Sequence, residues 1–259
     1  MTINIAALKQ NYPNFPSDVD LASPSNSSLN PEDDHFLLYI PWHEKYLTFV
    51  PPEFQTLFVE VLPHLSARTT DVHTAVCFQY LDELISKTQV VVNRNVVAHA
   101  LMLHDSGWSQ TSEAEIAASL GVTGLALNDK AMAPKEKHAL LGEKIARAVL
   151  AMRQSQLQLT EAEIDLICKA ILYHDKPQEV VGAQNQMPIE VQLLVDLDHL
   201  WSFTHLNFWQ DVLRKGVSPE EYHKNLKTDL NSYFVTDAGK QKATQLLEER
   251  QREVFAILP

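Results

Sequence analysis

Residues 93–107, NRNVVAHALMLHDSG, decide how the chain is read. The segment 93–105 is an unbroken helical pattern with Gly107 just beyond it, and it predicts a helix. On a helix, residues three, four or seven apart share a face. His104 therefore lies with Val97, Ala100 and Leu101, and Asp105 follows it directly. An imidazole and a carboxylate thus sit at the core end of an apolar stripe. The same pattern recurs on either side. His73 shares a face with Val76, Cys77, Tyr80 and Leu84, and His138 with Leu141, Ile145 and Val149. His174 lies with Ile167 and Ile171, and Asp198 with Val191, Leu194, Val195 and Trp201.

The rest of the chain carries helical signals around these five. Helices are expected over 53–65, after Pro51-Pro52, and over 71–87, with Thr69 and Thr70 as caps. Ser112 with Glu115 makes a capping box for a short helix that Gly121 closes, and 121–133 reads as loop. Pro134 opens a long helix to about 154, and Thr160 with Glu163 opens the next, which Pro177 ends near Asp175. Segments 188–206, 218–233 (Ser218 and Glu221 as another box) and 237–257 complete the set. On the last, Leu246, Leu247, Val254 and Phe255 form one apolar stripe. Residues 11–35 are crowded with Pro, Ser, Asn and Asp, the residues of irregular chain. Only 7 glycines in 259 residues leave little for hairpin turns. The expectation is an all-α, compact multi-helix bundle over 51–259 with an irregular arm over 1–50 whose Phe15, Val19 and Leu21 can dock on the body.

A balance of 21 Lys and Arg against 33 Asp and Glu gives a net charge of −12, which argues against a nucleic-acid polymer as partner. A local basic pocket for a small phosphorylated ligand is compatible with that charge, because a few neighbours set a site. Cys77 and Cys168 are far apart in sequence and lie in apolar helical stretches, so they are expected as free thiols in a reducing compartment. No stretch approaches the ~18 consecutive apolar residues of a membrane span. The expected location is cytoplasmic, away from membranes.

One buried histidine needs only a backbone carbonyl, and most of the eleven histidines, His35, His43, His64, His99, His205 and His223 among them, need no further account. A buried carboxylate is different: out of water it must be paired or hold a cation. Five apolar faces that present three or four imidazoles and two carboxylates, with few Lys or Arg among them, match the ligand set of a divalent transition metal.

The order His73, then His104-Asp105 in LHDSG, His138 in HALLG, His174 in ILYHD and Asp198 in DLDHL resembles the HD-domain metal-dependent phosphohydrolase superfamily over about 70–205. The resemblance implies a helical domain in which His73, His104, Asp105 and Asp198 bind one metal. His138 and His174 match the positions that hold a second ion in two-metal members, with Asp105 bridging. Asp175 stands where some members have a second imidazole, and is a replacement ligand, an outer neighbour of the ligands, or a helix-end residue. Ser106-Gly107-Trp108 departs from the glycine-tyrosine-proline signature of cyclic-dinucleotide phosphodiesterases. Asp196 competes with Asp198 for the last position; its neighbours Gln192, Leu193, His199 and Leu200 form a mixed face, so Asp198 is chosen and Asp196 is assigned to orient a ligand histidine.

The implied reaction is hydrolysis of a small phosphate ester such as a nucleotide, with Asp105 and His104 at its centre and one or two ions of Fe, Mn, Co, Ni or Mg. Lys137 and Lys176 are the basic candidates for gripping the phosphate. Two other readings stay open: an HD-type di-iron oxygenase that cleaves a C–C or C–P bond, and a non-catalytic metal- or nucleotide-binding module. The helices over 207–259 are expected to pack on the metal domain or to form a homodimer surface.

Overall fold

The computed structural model describes residues 3–12, 14–23, 37–119, 133–183 and 186–257. These residues form helices and connecting segments, with one isolated antiparallel bridge between Ala22 and Tyr39. The helices are α1 (Ile5–Lys9), α2 (Pro52–Val61), α3 (Thr70–Cys77), α4 (Leu81–Ser86), α5 (Arg94–Leu103), α6 (Glu113–Ser119) and α7 (Pro134–Leu157), followed by α8 (Glu161–Tyr173), α9 (Pro177–Gly182), α10 (Ile189–Leu200), α11 (His205–Lys215), α12 (Pro219–Asp229) and α13 (Asp237–Ile257). The all-α expectation holds. None of the described helices is long and apolar enough to cross a membrane.

Helices α5, α8 and α10 pack on one another at the centre, α7 covers α8, and α3 and α13 lean on α10. Every residue of α5 from Val96 to Leu103 is buried, as is every residue of α10 from Glu190 to Leu197. A helix enclosed on all sides is an axis of the fold. The polar residues at the ends of α5 and α10 are therefore delivered to the interior.

The box of Thr160 and Glu163 caps α8 in both directions, Ser112 and Glu115 do the same for α6, and the Ser218 hydroxyl accepts from the Glu221 N–H at 3.1 Å. Thr69 and Thr70 do not cap. Thr69 is itself left-handed (φ 70°), its hydroxyl oxygen accepts from the Ile40 N–H at 3.2 Å, and Thr70 donates to the Leu65 carbonyl at 2.7 Å. The helix expected over 71–87 is broken by a 3-10 turn, Phe78–Tyr80, which lets Phe78 meet Phe54 and Phe58 while Leu81 and Leu84 stay in the core. The segment 188–206 ends as helix at Leu200. Thr204 then caps α11, a separate helix closed by left-handed Gly216. Pro177 both follows α8 and opens α9 at a position where its missing N–H costs nothing. The expected loop 121–133 and Gly121 lie outside the described residues, apart from Ala133.

The stretch before α2 docks as expected. Val19, Leu21, Leu38 and Ile40 are buried, Phe15 meets the Trp209 ring edge-on at 5.6 Å, and the Tyr12 hydroxyl donates to the Val217 carbonyl at 2.9 Å. At the other end, Leu246, Leu247 and Val254 of α13 are buried, but Phe255 is exposed, one residue off the stripe.

Two glycines set the distance between the central elements. A Cβ on Gly107 would stand 1.9 Å from the His138 carbonyl oxygen and 2.6 Å from the Gly142 nitrogen, and one on Gly142 would stand 3.0 Å from the His104 carbonyl. Glycine at both places lets the 3-10 turn Ser106–Gln110 lie directly on α7. The glycines of LHDSG and HALLG are thus the contact that brings Asp105 to His138.

Candidate metal centre

The sequence-predicted residues converge from five helices. His73 lies in α3, and His104 caps the C-terminus of α5 with Asp105 just beyond. His138 lies in the second turn of α7, His174 caps the C-terminus of α8, and Asp198 sits near the end of α10. The two helix-end histidines are fixed alike. Nδ1 of His104 is 2.7 Å from the Leu101 carbonyl, and Nδ1 of His174 is 2.6 Å from the Ile171 carbonyl. A carbonyl only accepts, so each Nδ1 carries the proton and each Nε2 offers a lone pair inward.

Those lone pairs meet carboxylate oxygens. His73 lies 3.1 Å from Asp105 Oδ2 through Nδ1 and 3.2 Å from Asp198 Oδ1 through Nε2. His104 Nε2 is 3.3 Å from Asp198 Oδ1 and 3.6 Å from Asp105 Oδ2. On the other side of Asp105, Oδ1 is 3.4 Å from His138 Nε2 and 3.6 Å from His174 Nε2, and those two nitrogens are 3.1 Å apart. Donors held at about 2.1 Å from one ion stand roughly 3.0–3.5 Å from each other in octahedral or tetrahedral geometry. Two donor groups therefore fit a metal ion: His73, His104, Asp105 and Asp198, and Asp105, His138 and His174. A third, His174, Asp175 and Asp198, overlaps both.

The fit shows in what the side chains lack. Nε2 of His73 and Nε2 of His104 are buried without a hydrogen-bond partner, and no Lys or Arg among the described residues forms an ion pair with Asp105 or Asp198. Burial raises the cost of charge on Asp105, yet the four imidazoles around it, His104 first, hold its carboxyl well below the usual range. Burial likewise opposes a charge on His174, but the carboxylates of Asp105, Asp175 and Asp198 push its pKa up to about 9. The same carboxylates that favour a proton on this imidazole favour a metal ion on its Nε2 in the proton's place.

Two indoles wall the cluster. Trp108 stacks on His138 with ring centres 4.1 Å apart, and its N–H donates to Asp105 Oδ1 at 3.1 Å; Trp201 stacks on His73 at 5.2 Å. The cluster opens into a cavity of about 270 Å³ that His73, Asp105, Asp175 and Asp198 line together with Arg68, Lys135 and Arg214.

The remaining predicted residues fall elsewhere. Asp196 is buried but faces α13: it accepts from the N–H groups of Val235 and Thr236 and from the Thr236 hydroxyl, and orients no ligand histidine. Lys137 is tied to Glu115 at 2.5 Å and Lys176 lies over the Tyr173 ring, so neither lines the cavity. The basic residues that do, Arg68, Lys135, Arg214 and Lys215, were not singled out in the sequence. Lys135 lies three residues before His138, one helical turn away, which is a signal that spacing could have supplied. Arg68 and Arg214 meet only through the fold. Asp175 joins the cluster, with Oδ2 3.6 Å from His138 Nε2 and Oδ1 3.0 Å from Lys135.

No family model, curated protein or solved structure matches the chain.

Proposed function

We propose that the chain is a metal-dependent phosphohydrolase of the HD-domain type, acting on a small phosphate ester. The observation that carries the reading is Asp105, whose two oxygens face two separate groups of histidines at ligand-to-ligand distances. His73, His104, Asp105 and Asp198 would hold one ion, and His138, His174 and the second oxygen of Asp105 another, with Asp175 at hand as an outer donor. Such ions supply hydroxide from water near neutral pH and offset charge on a phosphoryl oxygen. The protein's own part is to fix these donors. The Leu101 and Ile171 carbonyls orient two imidazoles, the Trp108 N–H steadies Asp105, and the Trp108 and Trp201 rings keep His138 and His73 from turning.

Because Asp105 and Asp198 line an open cavity, a substrate oxygen can reach the donors, whereas a structural ion has closed coordination. An all-nitrogen-and-oxygen donor set around a shared carboxylate also suits a di-iron oxygenase, and that is the second reading. Both are tested on protein loaded with Mn, Fe, Co, Ni or Mg and offered nucleotides and simple phosphate esters, with phosphate release and oxygen uptake recorded together. Phosphate release that falls to background in Asp105→Ala, with metal content lost and helical circular dichroism kept, is the expected result. Undiminished turnover in that variant sinks the assignment, and oxygen uptake without phosphate release moves it to the oxygenase.

A further inference from the structure

We propose that Arg68 binds the phosphoryl group of the substrate and holds it against the metal cluster, an inference that rests on the hydrolase reading above. Arg68 lies five residues before His73 and adopts a left-handed backbone (φ 56°), as does Thr69 after it (φ 70°). Two consecutive non-glycine residues in that region are uncommon and persist only where their surroundings impose them. Here the neighbours impose them: the Thr69 hydroxyl oxygen accepts from Ile40 N–H and from Gln210 Nε2, each at 3.2 Å, and Thr70 donates to Leu65. The guanidinium is then laid over Trp108, 4.2 Å from the ring centre. Trp108 in turn stacks on His138 and donates to Asp105. One indole therefore sets the position of Arg68 relative to the donors.

The charges around Arg68 point to its ligand. The other cations of the cavity are answered: Arg214 and Lys215 by Asp211, and Lys135 by Asp175. Arg68 has no ion pair among the described residues, and the carboxylates it feels, Asp105, Asp175 and Asp198, are those of the metal cluster. Four cations and five carboxylates line the cavity, so one or two divalent ions turn its balance from negative to positive. The guanidinium, left without a counter-charge, then favours an anion. A phosphate monoester carries two negative charges on a group that a planar guanidinium can bind by two parallel hydrogen bonds. Arg68 and Trp108 also border a second cavity of about 340 Å³, lined by Leu38, Tyr39 and Ile116, which has room for the organic part of the ester.

The test is calorimetric titration of inorganic phosphate into manganese-loaded protein, with manganese uptake measured separately on the same samples. Arg68→Gly suits the backbone because glycine adopts this φ without strain, and Arg68→Lys keeps the charge but loses the planar fork. In Arg68→Gly, phosphate affinity should fall by at least about tenfold, with manganese stoichiometry and thermal midpoint close to wild type; Arg68→Lys should be intermediate. A structural role would instead lower the midpoint and leave phosphate affinity unchanged in the folded variant. Manganese uptake with equal phosphate affinity in wild type and Arg68→Gly, or with no phosphate binding in wild type, overturns this proposal alone. Where another of these metals is taken up in place of manganese, the titration is run with that metal; a wild-type protein that takes up none of Mn, Fe, Co, Ni or Mg overturns the hydrolase reading as well.

Discussion

Asp211 shows how much one side chain governs at the mouth of the cavity. It is buried, pairs with Arg214 and Lys215, and accepts from the Tyr222 hydroxyl at 2.6 Å. Burial alone would raise its pKa, but the two cations and the hydroxyl hold it down to about 2. An aspartate whose folded pKa lies below its unfolded value contributes stability above about pH 4, and that contribution disappears as pH falls towards 2. Replacing Asp211 by Asn should therefore cost about 2–3 kcal/mol at pH 7, with the difference from wild type shrinking between pH 4 and pH 2. Urea unfolding across that range checks this; a deficit that stays constant with pH would show that the carboxylate charge is not responsible. At this scale the sequence was informative about ligands and poor about cations. His73, His104, His138, His174 and Asp198 each betray themselves as polar groups on apolar helical faces. Arg68 carries no such mark, because its place depends on a turn conformation and on an indole forty residues away.

At the scale of elements, the glycine contact between the Ser106–Gln110 turn and α7 is the joint on which the site depends. A methyl group on Gly107 would sit 1.9 Å from a backbone oxygen, a separation that no side-chain rotation relieves. Gly107→Ala should cost about 3 kcal/mol or more, and should push Asp105 away from His138, so that the second metal equivalent is lost before the first. Urea unfolding and metal stoichiometry read the two effects; two tightly bound equivalents in the variant would refute the link. The helix ends were legible where a hydroxyl caps, as at Ser112, Thr160 and Ser218. They were misread at Thr69 and Thr70, whose hydroxyls serve the arm and the preceding turn instead. Asp196 was misassigned for a related reason: one face of a helix buried on all sides does not reveal which neighbour it meets, and this one meets the start of α13.

Across the whole molecule the all-helical class follows from composition and periodicity, whereas α9 is missed because Pro177 reads as an ending when it also begins a helix, and α11 because 188–206 reads as one helix through Thr204, which in fact caps a new one. The donors span residues 73–198, so they meet only in the folded chain and an ion bound there binds the native state. Free manganese at a hundred times its dissociation constant should stabilise the protein by about 2.7 kcal/mol, and a chelator should reverse this. Calorimetric midpoints with and without manganese make the comparison, and identical midpoints at saturating metal would contradict it.

The docked arm has a consequence for how the chain is made. Tyr12 is held by Val217, and Asp18 is 3.2 Å from His205, which in turn contacts Glu253. These partners leave the ribosome some two hundred residues after the arm, on the order of ten seconds or more at ordinary translation rates. Phe15 therefore waits in water until Trp209 of α11 emerges, so a ring made early is covered only after most of the core has been synthesised.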